Sequence, residues 1–358
     1  MLLNVTRHCN KLRTIMTFPS GVRRVKNTVS QVSENCSPHR FVAPTRIYRN
    51  HHLDSTRWDG YVPRGDDIVI STSYKSGTTW TQTIVRELIT HAMGRAGIDD
   101  PAWLPKPDNQ SSIWPDARWG DPKDELYAEM EGQRHRRFLK THLAADGLPI
   151  YTQVKYLVIG RDPRDVFMSL WNHYSNYTDH AYAEVNDDPG RPGDPCPRCP
   201  ADIHDFWRMW INRGWFEWEQ EGYPFWGNMH HNQSWWELRH LENVLLLHYA
   251  DLLADPAAEV RRMADFLDIE IDVPAIDRVV AHASLPAMRT RAVLAERERE
   301  QPLTFQDGAR TFFNQGTNGR WQGVLTADEL QMYEQTKART LSPACARWLE
   351  VGRQALAS

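Results

Sequence analysis

From about residue 45 onward, apolar positions fall into short unbroken runs that alternate with helical stripes. "DDIVIST" (66–72) carries an apolar run after Gly65-Asp66, the pattern of a buried strand. In "TWTQTIVRELITHAMG" (79–94), Trp80, Ile84, Val85, Leu88 and Ile89 recur at helical spacing, and Gly94 stands where a helix would stop. Further strands are predicted at "RRFLKTHLA" (136–144), "VKYLVIG" (154–160) and "NVLLLHYADLL" (243–253). Helices are predicted at "RDVFMSLWNHY" (164–174), "DIHDFWRMWINRGWFEWE" (202–219) and "AAEVRRMADFLDI" (257–269). Strands alternating with helices define an α/β protein with a central parallel sheet and helices on both faces. The Pro/Gly-rich stretch 186–200 reads as a loop. No repeat or linker divides the core, so residues 45–358 read as one domain.

Composition changes this picture only at the edges. The net charge of -4 gives no reason to expect nucleic acid. No apolar run reaches the length of a membrane span, and a cytoplasmic protein is expected. Residues 1–44 are basic, with Glu34 the only acid, and lack the apolar stretch of a secretory signal. They read as an extension without stable structure; a start at Met16 or a transit peptide are the alternatives. Five cysteines in a chain of this length argue against a disulfide framework. The C-x-x-C pair Cys196 and Cys199 has only His204 nearby, too few ligands for structural zinc, and reads as a loop with free thiols.

The chemistry concentrates in four stretches. "STSYKSGTTW" (71–80) lies between a predicted strand and a predicted helix. Gly77 lets backbone approach an anion, and the amides of Thr78, Thr79 and Trp80 open a helix N-terminus. The hydroxyls of Ser76, Thr78 and Thr79 add hydrogen-bond donors, and Lys75 adds a point charge. "RDPRDVFMS" (161–169) puts Arg161 at a strand's end, Asp162 and Pro163 at a helix start, and Ser169 two turns in. It lacks the aspartate that ends an apolar strand to hold magnesium. In "FLKTHL" (138–143), Lys140 and His142 are two apart on a strand and share a side, as a charge stabiliser and a proton acceptor would. "FFNQGTNGRWQGVLT" (312–326) reads as a glycine-containing loop able to fold over a ligand.

Together these stretches resemble the cytosolic-type sulfotransferases, over about residues 45–335. The resemblance implies a P-loop-containing nucleoside triphosphate hydrolase-like fold that uses 3'-phosphoadenylyl sulfate without a metal. "KSGTTW" is similar to the family's 5'-phosphosulfate loop, which implies that Lys75 meets the transferring sulfuryl group and Trp80 stacks on adenine. Arg161 and Ser169 match the 3'-phosphate pair, His142 the proton acceptor, with Lys140 beside it, and Tyr249 a tyrosine near the adenine. Three positions depart from the family pattern. Tyr74 replaces a proline, and Leu285 stands where an aromatic commonly covers the adenine. Asn314-Gln315-Gly316 replaces Arg-Lys-Gly at the 3'-phosphate. Charge-assisted hydrogen bonds are worth about 1.5–3 kcal/mol each, so weaker nucleotide binding is expected, with Arg161 and Arg320 left to compensate.

The acceptor is less defined. The aromatics of "WINRGWFEWEQEGYPFWGNMHHNQSWW" (210–236) either line an apolar pocket or pack between two helices. A phenol, another alcohol or a glycolipid all fit as hydroxyl acceptor, and a homodimer is compatible with the sequence. Two rivals are a P-loop kinase, which lacks its Gly-Lys-Ser/Thr and magnesium aspartate here, and a non-catalytic binder of adenosine bisphosphate.

Overall fold

The computed structural model describes residues 41–98, 103, 112–188, 190–297 and 302–356, and the structural statements below concern these. The strands are Phe41–Val42 (β1), Ile68–Thr72 (β2), Phe138–Thr141 (β3), Ile150–Tyr151 (β4), Lys155–Gly160 (β5) and Val244–His248 (β6). The helices through the middle of the chain are Thr78–Ala96 (α1), Lys123–Gly132 (α2), Pro163–Tyr174 (α3), Asp179–Asn186 (α4), Ile203–Ile211 (α5), Asn228–Glu237 (α6) and Tyr249–Ala254 (α7). Those that follow are Pro256–Phe266 (α8), Val273–His282 (α9), Leu285–Glu296 (α10), Ala309–Phe312 (α11), Ala327–Thr340 (α12) and Pro343–Val351 (α13).

Four strands form a parallel sheet in the order β3-β2-β5-β6. Side chains alternate across a strand, so each strand feeds two cores. Ile68, Ile70, Leu157, Ile159 and Leu247 face one core with Ile84, Val85, Leu88 and Ile89 of α1. Val69, Leu139, Tyr156, Val158 and Leu246 face the other, with Phe167 of α3 and Trp207 and Trp210 of α5. Helices therefore cover both faces of the sheet, the expected architecture. The central strands β2 and β5 end side by side, Thr72 against Ile159. A strand–loop–helix unit leaves each of these ends, which is where an open α/β sheet places its ligands.

Several element boundaries differ from the sequence reading. Helix α1 runs past Gly94 to Ala96 and stops at Gly97, whose left-handed backbone (φ 64°) turns the chain. Helix α5 ends at Ile211 rather than near 219. The chain there is gathered by the Glu219 carboxylate, which accepts from the amides of Trp215, Phe216 and Gly227 at 3.2, 3.2 and 2.7 Å. The strand within 243–253 ends at His248, whose Nδ1 accepts from the Ala250 amide (3.2 Å) and opens α7. The expectation for residues 1–44 falls mostly outside the described residues. Within them, Phe41–Val42 pairs antiparallel with Ile150–Tyr151. Among the described residues, no helix is long and apolar enough to cross a membrane.

Candidate active site

The loop after β2 curls because two of its residues adopt left-handed backbone, Lys75 (φ 59°) and Gly77 (φ 111°). A Cβ at Gly77 would lie 3.0 Å from the Tyr249 ring, so space as well as conformation calls for glycine. Gly77 is also the residue before α1, and no side chain caps that helix start. Thr78 Oγ1 hydrogen-bonds Thr72 Oγ1 at 2.6 Å and ties the helix to the strand it follows. The Lys75 ammonium rests 3.1 Å from His173 Nδ1 and 4.9 Å from the centroid of Phe312. Exclusion of water, then the charges of Arg161 and Arg320, push Lys75 down to about 7.

The loop after β5 delivers Arg161. Asp162 begins α3 by accepting from the Arg164 amide (2.9 Å), and Pro163 fills the first turn. The Arg161 guanidinium donates to the Lys75 carbonyl (3.0 Å), the Thr317 carbonyl (2.9 Å) and Asn318 Oδ1 (3.0 Å). It also lies 4.1 Å over the Tyr249 ring, whose edge contact with Trp80 spans 5.6 Å between centroids. Arg161 thus locks the Lys75 loop to the segment after Gly316.

His142 stands just beyond the end of β3. Its Nδ1 is 2.8 Å from the Thr72 carbonyl, which can only accept, so Nδ1 carries the proton and Nε2 keeps its lone pair. Exclusion of water, then Lys140 and Lys75, push His142 down to about 3, so the ring is neutral. Lys140 lies 4.8 Å over the Trp114 ring and is pushed down to about 8, burial outweighing the pull of Asp116. A parallel bridge between Ile113 and Leu139 brings Trp114 and Asp116 to this strand end. Asp116 then accepts from Trp58 Nε1 (3.0 Å), Trp114 Nε1 (2.9 Å) and the His142 amide (3.4 Å).

One cavity of about 660 Å³ unites these groups. Lys75, Gly77, Thr78, Thr79, Trp80, Lys140, His142, Arg161, Ser169, Tyr249, Leu285, Asn314 and Gly316 all line it. Two expected residues do not. The Ser76 hydroxyl is buried beneath the loop, 3.1 Å from Ser73 Oγ, and only its backbone is left to face a ligand. Gln315 is exposed and is not among the residues that line the cavity. The cavity is also lined by four residues without a predicted role, His52, Trp114, Trp119 and His173, and by Phe225 and Trp226 of the aromatic stretch 210–236. Of those four, only His173 had a local signal, since it lies four residues after Ser169 on the same helical face. Trp210 packs in the core, where its Nε1 donates to Tyr74 Oη (2.7 Å), so the aromatic stretch divides between packing and cavity.

Among the described residues, no cluster of His, Cys, Asp and Glu has the form of a metal site. Cys196 and Cys199 are free thiols, and His204 Nδ1 sits 3.0 Å from Glu329 instead.

A glycine-turned loop at a helix start, several cations and a neutral histidine lining one cavity at the end of a parallel sheet suit an enzyme that transfers an anionic group. The chain belongs to the sulfotransferase family: residues 65–342 match the model of the sulfotransferase domain. It is 31% identical over 327 residues to a glycolipid sulfotransferase of Mycobacterium tuberculosis, covering 86% of this chain and 95% of that one. It is 27% identical over 285 residues to rat sulfotransferase 1A1, covering 77% of this chain and 85% of the relative. Its fold is similar to mouse sulfotransferase SULT7A1 complexed with PAP, at TM-score 0.60 and 18% identity, covering 89% and 99% of the two chains. Retinol dehydratase in complex with androsterone and PAP gives TM-score 0.55 at 22% identity, covering 86% of this chain and 90% of that one. The protein is a sulfotransferase.

Proposed function

We propose that this sulfotransferase takes 3'-phosphoadenylyl sulfate as its co-substrate and sulfates an acceptor hydroxyl, with His142 as general base. The observation that carries this reading is the His142 tautomer: Nδ1–H is spent on the Thr72 carbonyl, leaving Nε2 to accept a proton in a cavity it shares with Lys75 and Lys140. The co-substrate fits the residues present. Gly77, Thr78 and Thr79 line the cavity at the start of α1, and among the described residues no ion pair joins Lys75 or Arg161 to a carboxylate. When bound, it supplies an activated sulfuryl group on a phosphate leaving group.

The chain's own residues then divide the work. His142 removes the acceptor's proton as the hydroxyl attacks. Lys75 and Lys140 offset the negative charge that builds in the transition state. Arg161 and Ser169 hold the far end of the nucleotide, and Trp80, Tyr249 and Leu285 surround its base. Asn314 and Gly316 approach it through a loop that Arg289 fixes by donating to the Phe313 carbonyl (2.7 Å).

A glycolipid headgroup is the second reading of the acceptor. Three tryptophans, Trp114, Trp119 and Trp226, share the cavity wall with His52 and Glu184, a surface suited to stacking a sugar ring and hydrogen-bonding its hydroxyls. The similarity to a glycolipid sulfotransferase supports the same choice. We place the enzyme in the cytoplasm.

The test is sulfation by mass, with the co-substrate, no added metal and a panel of phenols, alcohols and glycolipids. His142→Ala should lower turnover at least about 10²-fold, the usual worth of a general base, while nucleotide affinity stays near wild type. Near-normal turnover in that variant would remove His142 from the role. No product from any acceptor, with adenosine bisphosphate still bound, would favour a binding module.

A further inference from the structure

We propose that Arg320 is the residue that binds the 3'-phosphate of the nucleotide in place of the cations absent at Asn314 and Gln315. The proposal rests on the reading of 3'-phosphoadenylyl sulfate as co-substrate.

Arg320 lines the same cavity as Arg161 and Ser169. Its Nη2 donates to the Met168 carbonyl at 3.1 Å, which brings the guanidinium alongside the residue preceding Ser169. Nearby acids are committed elsewhere. Asp165 spends both oxygens on backbone amides, those of Gly319 (2.9 Å) and Arg320 (3.1 Å). Asp162 is held by Arg164 at 2.7 Å. Among the described residues, no ion pair is made by Lys75, Arg161 or Arg320, although all three line one cavity. Arg161 itself is only 4% exposed. Asp165 and Asp162 offset the Arg161 charge in part without forming an ion pair, and the like charges gathered in this sheltered cavity favour an anion that joins them. The cations also feel one another: after burial, Arg161 and Arg320 are the charges that depress Lys75.

The loop does not need the Arg320 side chain to hold its place. Arg161 grips Thr317 and Asn318, Asp165 grips the amides of Gly319 and Arg320, and Trp321 lies under Arg164 with 4.1 Å between guanidinium and ring. The guanidinium is therefore available for a ligand, and its fork suits a phosphate's paired oxygens.

Calorimetry on the full chain tests this with two nucleotides, adenosine 3',5'-bisphosphate and adenosine 5'-phosphate. Arg320→Gln should weaken the bisphosphate about tenfold to a hundredfold, the size of one charge-assisted hydrogen bond, and leave the monophosphate unchanged. Adding Asn314→Arg to Arg320→Gln should restore the preference for the bisphosphate. Equal losses for both nucleotides would make Arg320 a loop latch and overturn the proposal, as would no loss at all. A wild-type protein that does not distinguish the nucleotides removes the co-substrate reading itself. A wild type that does distinguish them, with Arg320→Gln unaltered, removes Arg320 alone.

Discussion

Lys75 sits where charge is needed for binding but is costly to keep in the free protein. Its ammonium is sheltered in the cavity, 3.1 Å from His173 Nδ1, and is pushed down to about 7 by exclusion of water and then by Arg161 and Arg320. At pH 8 most of it is neutral in the free protein. An anionic nucleotide favours the charged form, so binding at that pH should take up a proton, with a smaller share from Lys140 near 8. Affinity for adenosine bisphosphate should accordingly fall as pH rises above about 7. Calorimetry at pH 8 in two buffers of different ionisation enthalpy reads the uptake directly. Lys75→Met should remove most of it, and proton release by the wild type would contradict the assignment. Residues such as Lys75, Gly77 and Arg161 were legible because each belongs to one strand–loop–helix unit. Trp114 and Asp116 were not, because their segment has no period of its own. Only the long-range pairing of Ile113 with Leu139 brings them to His142.

Among the elements, the contact between β5 and α13 leaves little room for change. Gly160 ends the strand directly below Arg161, and a Cβ there would lie 2.4 Å from the Trp348 ring and 3.0 Å from Leu349. Trp348 is 1% exposed, with Trp236 beside it at 5.5 Å between centroids, so it has little space to retreat. Gly160→Ala should cost about 1–3 kcal/mol through overpacking, read as a lower urea midpoint with an unchanged slope. The ratio of bisphosphate to monophosphate affinity should survive, since Arg161 leaves the strand beyond the clash. An unchanged midpoint would mean that α13 is not seated as described. Strand and helix identity was legible wherever apolar periodicity ran for a full element. Lengths were less so. Residues 212–219 keep the aromatic character of α5, yet the buried Glu219 carboxylate turns their backbone amides inward and ends the helix. A carboxylate that binds its own loop leaves no mark in hydrophobic periodicity.

Across the whole molecule, the same sheltering that tunes the site makes stability depend on acid. Burial comes first among the causes that lower His51, His52, His142, His173, His231 and His248, with His51 near 4 and His142 near 3. In the unfolded chain these rings protonate as pH falls through the ordinary value of about 6.5, while the native rings stay neutral. The unfolded state then binds more protons, so native stability is lost as pH drops through that value. Buried acids act in the opposite sense: burial raises Asp116 and Asp165, and pushes Glu219 up to about 8 and Glu221 to about 7. The two glutamates keep their protons in the native state above the ordinary carboxylate range, and the stability they give is lost as pH rises through 7 and 8. Between about pH 6.5 and 4.5 both sets titrate in the unfolded chain, and the six histidines outweigh the four acids. The urea midpoint should therefore fall between pH 7 and pH 5, with several protons taken up on unfolding. His231→Asn should flatten that slope by about one proton, since its Nε2 lies 2.9 Å from Ser71 Oγ and an amide can keep the hydrogen bond without titrating. A midpoint that holds or rises as pH falls to 5 would show that these rings are not held neutral in the native fold.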